Sequence, residues 1–264
     1  MPVTGVFGLA ENGASILNPG VRFIACVAAI ALASGALAQI SPAPKRPVDQ
    51  LIPWLLDEEQ ELRGVSFSEV IFDTTGKKVL PFDANNAIDR RVAKAISAAC
   101  DETVKRLNTA HGAIQNVNRI NEVSSHFEDS LRELLNTTHG LRCDFPLTAE
   151  GKAQRSGYPD LRITDLESKR VFYLDPKLYA AGSRDSSFRA FYFEPKKATN
   201  KVREDAVHFV VGFEHEIREK TGVWKFTRWD LVDLSRFTVK LKAEFQGSNR
   251  DMYRPEAIVA SSEK

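Results

Sequence analysis

YPDLRITDLESKRVFYLDPKLY, residues 158–179, contains two runs rich in β-branched and aromatic side chains around the polar segment 164–170. Such runs, separated by a short polar turn, predict two adjacent antiparallel strands. Side chains two residues apart lie on the same face of a strand, so Asp175 and Lys177 share a face. Asp160, at the start of the first strand, falls on the matching face. If the apolar faces are buried together, two carboxylates and one ammonium group converge at an open edge.

These three side chains have the chemistry that hydrolysis of a phosphodiester bond requires. Carboxylate oxygens suit Mg²⁺ and Mn²⁺, and such a metal polarises the phosphoryl oxygen and lowers the pKa of a bound water. A neighbouring cation stabilises hydroxide and the developing charge. We therefore expect Asp160 and Asp175 to hold the metal and Lys177 to act beside it. The alternative is a pair of solvated strand ends joined by a surface ion pair, which contributes little.

The segments on either side of this stretch alternate between helical and extended periods. Apolar residues recur at three- and four-residue intervals over residues 86–107 and 113–136, which predicts two amphipathic helices. Period-two patterns predict strands at 187–195, 205–214 and 235–246 and a β-hairpin at 65–82. Helices followed by strands predict an α/β (α+β mixed) fold, with a central mixed β-sheet flanked by helices.

The arrangement Pro159-Asp160, a gap containing one turn, and Asp175-Pro176-Lys177 resembles the motif of the PD-(D/E)xK nuclease superfamily. The resemblance covers roughly residues 113–215 and implies a restriction-endonuclease-like core. It also implies a nuclease that depends on Mg²⁺ (or Mn²⁺) and acts on nucleic acid. Pro176 departs from the usual pattern, because proline removes a ladder donor and suits an edge or a bulge.

The resemblance implies one further acidic residue, a glutamate on the helix before the first strand. Glu128 follows Phe127 at the margin of the apolar stripe, whereas Glu133 points away from it. We therefore expect Glu128 to join the metal ligands, with Glu122 in reserve.

Other titratable clusters carry weaker signals. Lys196, Lys197, Lys201 and Arg203 lie in one segment and either grip phosphates or form an ordinary solvated loop. His208, within a strand pattern, is expected to be structural rather than a ligand, although a metal site with His215 and Glu216 is conceivable. The sequence has no H-E-x-x-H, paired C-x-x-C, G-x-S-x-G or phosphate-binding glycine loop.

The N-terminus has the pattern of a secretory signal peptide over residues 1–38. Arg22 precedes an apolar run that ends in the small-x-small site Ala36-Leu37-Ala38. We expect cleavage before Gln39, a secreted or periplasmic location and no stable membrane association afterwards. Val21 as the true start and an uncleaved anchor are the alternatives that the pattern leaves open.

Two segments follow the signal peptide. Residues 39–53 hold four prolines and predict an exposed, extended leader. A short acidic helix is expected within 54–64, at the start of a single nuclease-like domain over 54–264.

Composition limits the remaining inferences. The formal net charge of the 264 residues is +1, so any basic footprint for nucleic acid must be local. Cys100 and Cys143 are either bridged or buried as free thiols, and the pattern does not indicate an oligomeric state. We expect an exported metal-dependent nuclease that hydrolyses phosphodiester bonds, with DNA favoured over RNA. The alternative is a catalytically inactive exported binding module with the same fold.

Overall fold

The computed structural model describes residues 46–58, 62–187, 190–216, 218 and 222–262. Residues Pro47–Lys264 form one compact unit. The predicted signal peptide, and the predicted leader as far as residue 45, lie outside the described residues. Within the described part of the chain, no helix has the length and apolar character that a bilayer crossing requires.

Helices and strands alternate in the first half of the unit, and strands dominate the second. The helices are α1 (Pro47–Asp57), α2 (Phe67–Thr75), α3 (Ala87–Leu107), α4 (Ile120–Thr137) and α5 (Asn249–Met252). The strands are β1 (Val65–Ser66), β2 (Val79–Leu80), β3 (Leu141–Asp144), β4 (Leu161–Asp165), β5 (Val171–Ala180), β6 (Ala206–His215), β7 (Phe226–Asp233) and β8 (Thr238–Val239).

A mixed sheet lies at the centre of the unit. Its strand order is β2-β6-β5-β4-β3, and β7 also pairs with β6. Strand β5 is parallel to β6 and antiparallel to β4, whereas β1 and β8 form a separate two-stranded ribbon. This confirms the predicted α/β fold with a mixed sheet flanked by helices, and it confirms the antiparallel pair at residues 158–179.

The two faces of the sheet are covered by different elements. On one face, Val92 of α3 and Phe127 of α4 belong to the same buried cluster as Leu174 of β5. On the other face, Phe67 of α2 packs in a second cluster with Tyr173. Because successive residues of a strand alternate between faces, Asp175 follows Tyr173 on the α2 side. The side chain of Lys177, next on this face, is 32% exposed, so the second face opens to solvent there.

The predicted β-hairpin at residues 65–82 is wrong, since α2 occupies residues Phe67–Thr75. Phe67 and Ile71, one helical turn apart, are both fully buried against the sheet. Gly76, in the left-handed region with φ 69°, ends the helix by donating its N–H to the Phe72 carbonyl. The alternation of apolar residues in this segment is therefore the signature of a short helix with one buried face.

Two predicted strands are largely absent. The described residues 187 and 190–195 form no strand; Phe191 and Phe193 instead pack edge-on against the ring of Phe67, with ring centroids 5.1 and 5.9 Å away. The strand predicted at 235–246 is confined to Thr238–Val239, because its only partner there is the two-residue strand β1.

Two predicted boundaries also move. The second helix was expected from residue 113 but begins at Ile120, because the side chain of Gln115 bonds both backbone groups of Trp224 and fixes the preceding turns. The leader was expected to be extended to residue 53, but α1 begins at Pro47. Proline is favoured in the first turn of a helix, where its missing N–H has no partner to lose.

Candidate active site

Asp160, Asp175 and Lys177 converge at the junction of β4 and β5. Leu161 pairs with Leu174, so Asp160, one position earlier, faces Asp175 across the two strands. The Nζ atom of Lys177 lies 2.5 Å from Oδ2 of Asp175 and 4.0 Å from Oδ2 of Asp160. One ammonium group therefore lies between two carboxylates, in the arrangement that strand spacing predicted.

Burial sets the electrostatics of this cluster. Burial, followed by the negative charge of Asp175, raises the pKa of Asp160 to about 8 despite the opposing effect of Lys177. Burial by itself lowers the pKa of Lys177, but Asp175 and Asp160 outweigh it, so that the pKa lies above its ordinary value. Lys177 is thus a stable cation at neutral pH. For Asp160, burial and the charge of Asp175 together outweigh the stabilising effect of this one ammonium group.

The donor set suits a divalent metal ion. Oδ2 of Asp175 is buried, and its close neighbour is the ammonium group of Lys177. Mg²⁺ is commonly bound through one or two carboxylates and keeps several waters, which is what Asp160 and Asp175 offer. Among the residues that the structure describes, no group of three or more His, Cys, Asp or Glu side chains is placed to hold a metal ion, so the candidate ligands here are the two carboxylates of Asp160 and Asp175.

Glu128 lies near this cluster and is held by an arginine. Its side chain is 12% exposed, and its Oε2 accepts from Nη2 and Nε of Arg155 at 2.8 and 3.2 Å. Its charge contributes to the raised pKa values of Asp160 and Lys177. Glu122, the reserve candidate, is exposed in the first turn of α4. Of the two glutamates, Glu128 is the one whose charge reaches Asp160 and Lys177, and its role as a metal ligand stays a prediction.

Lys201, which the sequence offered either as a phosphate contact or as part of a solvated loop, is buried close to this cluster. It is 1% exposed, and its Nζ donates to the carbonyl oxygens of Gln154 and Arg155 at 3.3 and 3.5 Å. Burial lowers the pKa of Lys201, whereas the charges of the site carboxylates raise it. A fully buried lysine is rare unless it is paired; Lys201 is paired with two backbone carbonyl oxygens and interacts electrostatically with Asp160 and Asp175. No periodicity in residues 196–203 distinguishes this lysine from its exposed neighbours.

The two strand histidines have structural surroundings. His208 is fully buried, and its Nδ1 lies 2.6 Å from the hydroxyl of Tyr158, while burial lowers its pKa to about 3. His215 lies 2.8 Å from the carbonyl of Glu216 through its Nδ1 and packs edge-on against Trp224. Neither histidine belongs to a metal-binding group among the described residues.

The cysteines are buried free thiols in the helix-covered core. Burial raises the pKa of Cys143 to about 12 and that of Cys100 still further. Of the two possibilities that the sequence left open, a disulfide or two free thiols, the structure has two free thiols.

Comparison with known proteins agrees with the chemistry of this site. The family model described as "Type II restriction enzyme MjaV family" matches residues 60–256, which include every site residue discussed above. A type II restriction enzyme MjaV of Methanocaldococcus jannaschii is 30% identical over 211 residues, which cover 76% of this chain and 90% of that relative. With a match over most of both sequences, the chain belongs to the type II restriction enzyme MjaV family.

Proposed function

We propose that this protein is a metal-dependent endonuclease that hydrolyses phosphodiester bonds of DNA. The observation that carries the proposal is the position of the Lys177 ammonium group between the carboxylates of Asp160 and Asp175. Membership of a restriction enzyme family supports DNA over RNA as the substrate. The PD-(D/E)xK assignment rests on the motif residues together with the β4–β5 geometry.

Each side chain has a distinct role in the proposed reaction. Hydrolysis requires attack of a water oxygen on phosphorus, cleavage of one P–O ester bond and protonation of the departing oxygen. Lys177, whose pKa is raised, stays protonated and so stabilises hydroxide and the negative charge on the phosphoryl group rather than accepting a proton. Asp160 and Asp175 would hold Mg²⁺ or Mn²⁺, with Glu128 as the additional acidic group. Such an ion would supply Lewis-acid stabilisation of the charge that develops on the phosphoryl oxygens.

The test is cleavage of plasmid DNA and of RNA by the purified protein with Mg²⁺, with Mn²⁺ and with EDTA. We expect DNA cleavage with either metal and none with EDTA. Asp160→Asn and Asp175→Asn should abolish cleavage at ordinary Mg²⁺ concentrations, and Mn²⁺ should restore part of it. Lys177→Ala should lower the rate by roughly 100- to 1,000-fold, the loss typical of removing one stabilising donor, without rescue by metal.

The matched control is Asp144→Asn on β3, a carboxylate that pairs with Arg142 rather than with the site. It should retain activity. Cleavage that persists unchanged in the Asp160→Asn protein would contradict the assignment of the site. A parent protein that binds DNA but never cleaves it would instead favour the inactive binding module.

We further propose that the mature protein is exported and begins near Gln39. The apolar run after Arg22 and the Ala36-Leu37-Ala38 site support this proposal. N-terminal sequencing of protein recovered from outside the cytoplasm should read from Gln39. Recovery of a chain that still carries residues 1–38 would exclude cleavage there.

A further inference from the structure

A polar cavity of about 250 Å³ lies between the end of α2 and the segment before β6. Three cationic side chains line it: Lys77, Lys197 and Arg203. We propose that this cavity binds a backbone phosphate of the DNA substrate, away from the phosphate that is cleaved. The inference rests on the proposed function, because it assumes that a duplex lies across the active site.

The charge of the cavity is not neutralised by nearby acids. No carboxylate is among the lining residues, although the charge of Arg203 helps to lower the pKa of the neighbouring Glu204. The acidic residues that follow Arg203 are both engaged elsewhere. Glu204 bonds Arg162 and the Tyr173 hydroxyl, and Asp205 accepts from the backbone N–H of Lys78. An anion that enters the cavity therefore meets three cations and no carboxylate among the lining side chains.

The end of α2 does not account for three cations. A helix C-terminus carries roughly half a negative charge, which a single lysine such as Lys77 exceeds. The hydroxyl groups of Thr74 and Thr75 donate to the carbonyls of Val70 and Ile71 within the helix. The cationic side chains are thus the main donors that the cavity presents to an oxyanion, and ammonium and guanidinium groups are the usual partners of phosphate.

The cavity is tied to the same face of the sheet as the active site. The backbone N–H of Arg203 donates to the Tyr173 hydroxyl at 2.9 Å, and Tyr173 precedes Asp175 by two residues on that face. Two strand residues span about 7 Å. Each strand of a duplex presents a phosphate about every 3.4 Å of its axis, so DNA held at the carboxylates has other phosphates within reach of this cavity.

The remaining cations of the same segment are used differently. Lys196 pairs with Glu194 at 2.7 Å, and Lys201 is buried behind the active site. The four-residue basic cluster of the sequence is therefore divided, and only Lys197 and Arg203 face the cavity.

The test compares two triple variants that each remove three positive charges. The first is Lys77→Ala/Lys197→Ala/Arg203→Ala. The control is Lys94→Ala/Lys105→Ala/Arg250→Ala, whose side chains are exposed on α3 and α5. Affinity for a fluorescent 24-base-pair duplex is measured in EDTA as a function of NaCl concentration, so that cleavage does not interfere.

The cavity triple variant should bind the duplex at least 10-fold more weakly than the parent at low salt. Its plot of log affinity against log salt should be shallower by about 1, since the loss of one phosphate contact removes roughly 0.9. The control triple should match the parent within 2-fold. Lys197→Glu, a single change at an exposed side chain, keeps the test valid if the triple variant does not fold, and should weaken binding more than Lys197→Ala.

The outcomes separate the two proposals. Equal affinity and salt dependence for the cavity and control triples, in a parent that binds and cleaves DNA, would overturn the phosphate site alone. A parent that neither binds nor cleaves the duplex would overturn the proposed function and the phosphate site together.

Discussion

At the scale of single residues, the site combines three side chains on two neighbouring strands with a lysine that is held by a contact between distant segments. Asp160, Asp175 and Lys177 converge because two-residue alternation and one turn determine their placement. The burial of Lys201 was not predicted, since it depends on how the segment before β6 folds back over residues 154–155. No local pattern encodes such a contact between distant segments.

Arg155 should act as a positioning residue for Glu128. It binds Oε2 of Glu128, contacts Asp129 at 3.2 Å and donates to the Ser125 carbonyl at 3.1 Å. Arg155→Ala frees the Glu128 carboxylate, and loss of an outer partner of a metal ligand typically costs 10- to 100-fold. We expect the Mg²⁺ concentration for half-maximal cleavage to rise by about that factor, with less effect on the rate at saturating metal. Arg155→Lys should restore little, because lysine lacks the forked geometry.

Two controls accompany the Arg155 measurement. Glu128→Gln should raise the Mg²⁺ requirement in the same direction. Glu133→Gln, on the same helix but paired with Arg106, should leave it unchanged. An identical Mg²⁺ requirement in Arg155→Ala and the parent would show that the ion pair does not position Glu128.

His208 should make the folded state sensitive to acid. Burial lowers its pKa to about 3 in the folded protein, whereas an unfolded histidine titrates near about 6.5. Between these values the unfolded chain binds a proton that the folded chain does not, so stability falls as pH decreases below about 6.5. The contribution approaches about 1.4 kcal/mol per pH unit.

The His208 contribution is measured by difference. Asp160, whose pKa is raised to about 8, changes stability in the opposite direction over the same range, so the parent alone does not reveal it. Urea unfolding of the parent and of His208→Gln at pH 6.5, 5.5 and 4.5 cancels all shared contributions. The parent should lose stability relative to the variant at each step, and parallel curves would contradict a neutral buried histidine.

At the scale of elements, long periodic segments were predicted and short ones were not. Helix α3 has a clear apolar stripe and the expected bounds within a residue or two, and its N-terminus is capped by the side chain of Asn86. Helix α2 has only nine residues, too few turns for its period to differ visibly from strand alternation. The aromatic residues at 187–195 predicted a strand, but Phe191 and Phe193 instead pack against the cluster that contains Phe67 and Ile71 of α2.

The packing of Phe67 should be the main contribution of α2 to the free energy of unfolding. Its ring is fully buried and contacts those of Tyr158, Phe191 and Phe193 edge-on. Phe67→Ala should lower the free energy of unfolding by about 3–5 kcal/mol. Phe72, on the same helix but 50% exposed, provides the control, and Phe72→Ala should cost well under half as much. Denaturant unfolding measures both, and equal losses would contradict the orientation of α2.

At the scale of the whole molecule, the net charge is near zero, but acidic and basic side chains are grouped at different places. Lysine and arginine together number 36 against 35 aspartate and glutamate residues, so bulk composition gave no sign of a nucleic-acid partner. The structure gathers acidic side chains around Lys177 and cations around the cavity beside α2. Fold class follows from the order of elements, whereas this division depends on which loops meet across the sheet.

One consequence concerns self-association. Strand β4 pairs with β5 only as far as Leu174, and β5 continues to Ala180 with β6 on its other side. In the described residues no strand completes the β4 side of this extension, and an incomplete sheet edge is a template for another chain. Pro176 lies in the unpaired part of β5 and cannot donate a backbone hydrogen bond, so we expect it to hinder the pairing of another strand with this edge.

Replacing Pro176 should therefore lower the solubility of the protein while leaving its fold intact. Pro176→Val supplies a new N–H and a β-branched side chain, and we expect a concentration-dependent rise in oligomers, measured by light scattering, with thioflavin fluorescence increasing on gentle heating. Pro195→Val, in the irregular segment before β6, is the matched exchange and should remain as soluble as the parent. If both variants remain equally dispersed, Pro176 does not protect the protein from association. The unpaired edge of β5 beside the active site would then be kept from other strands by a different feature.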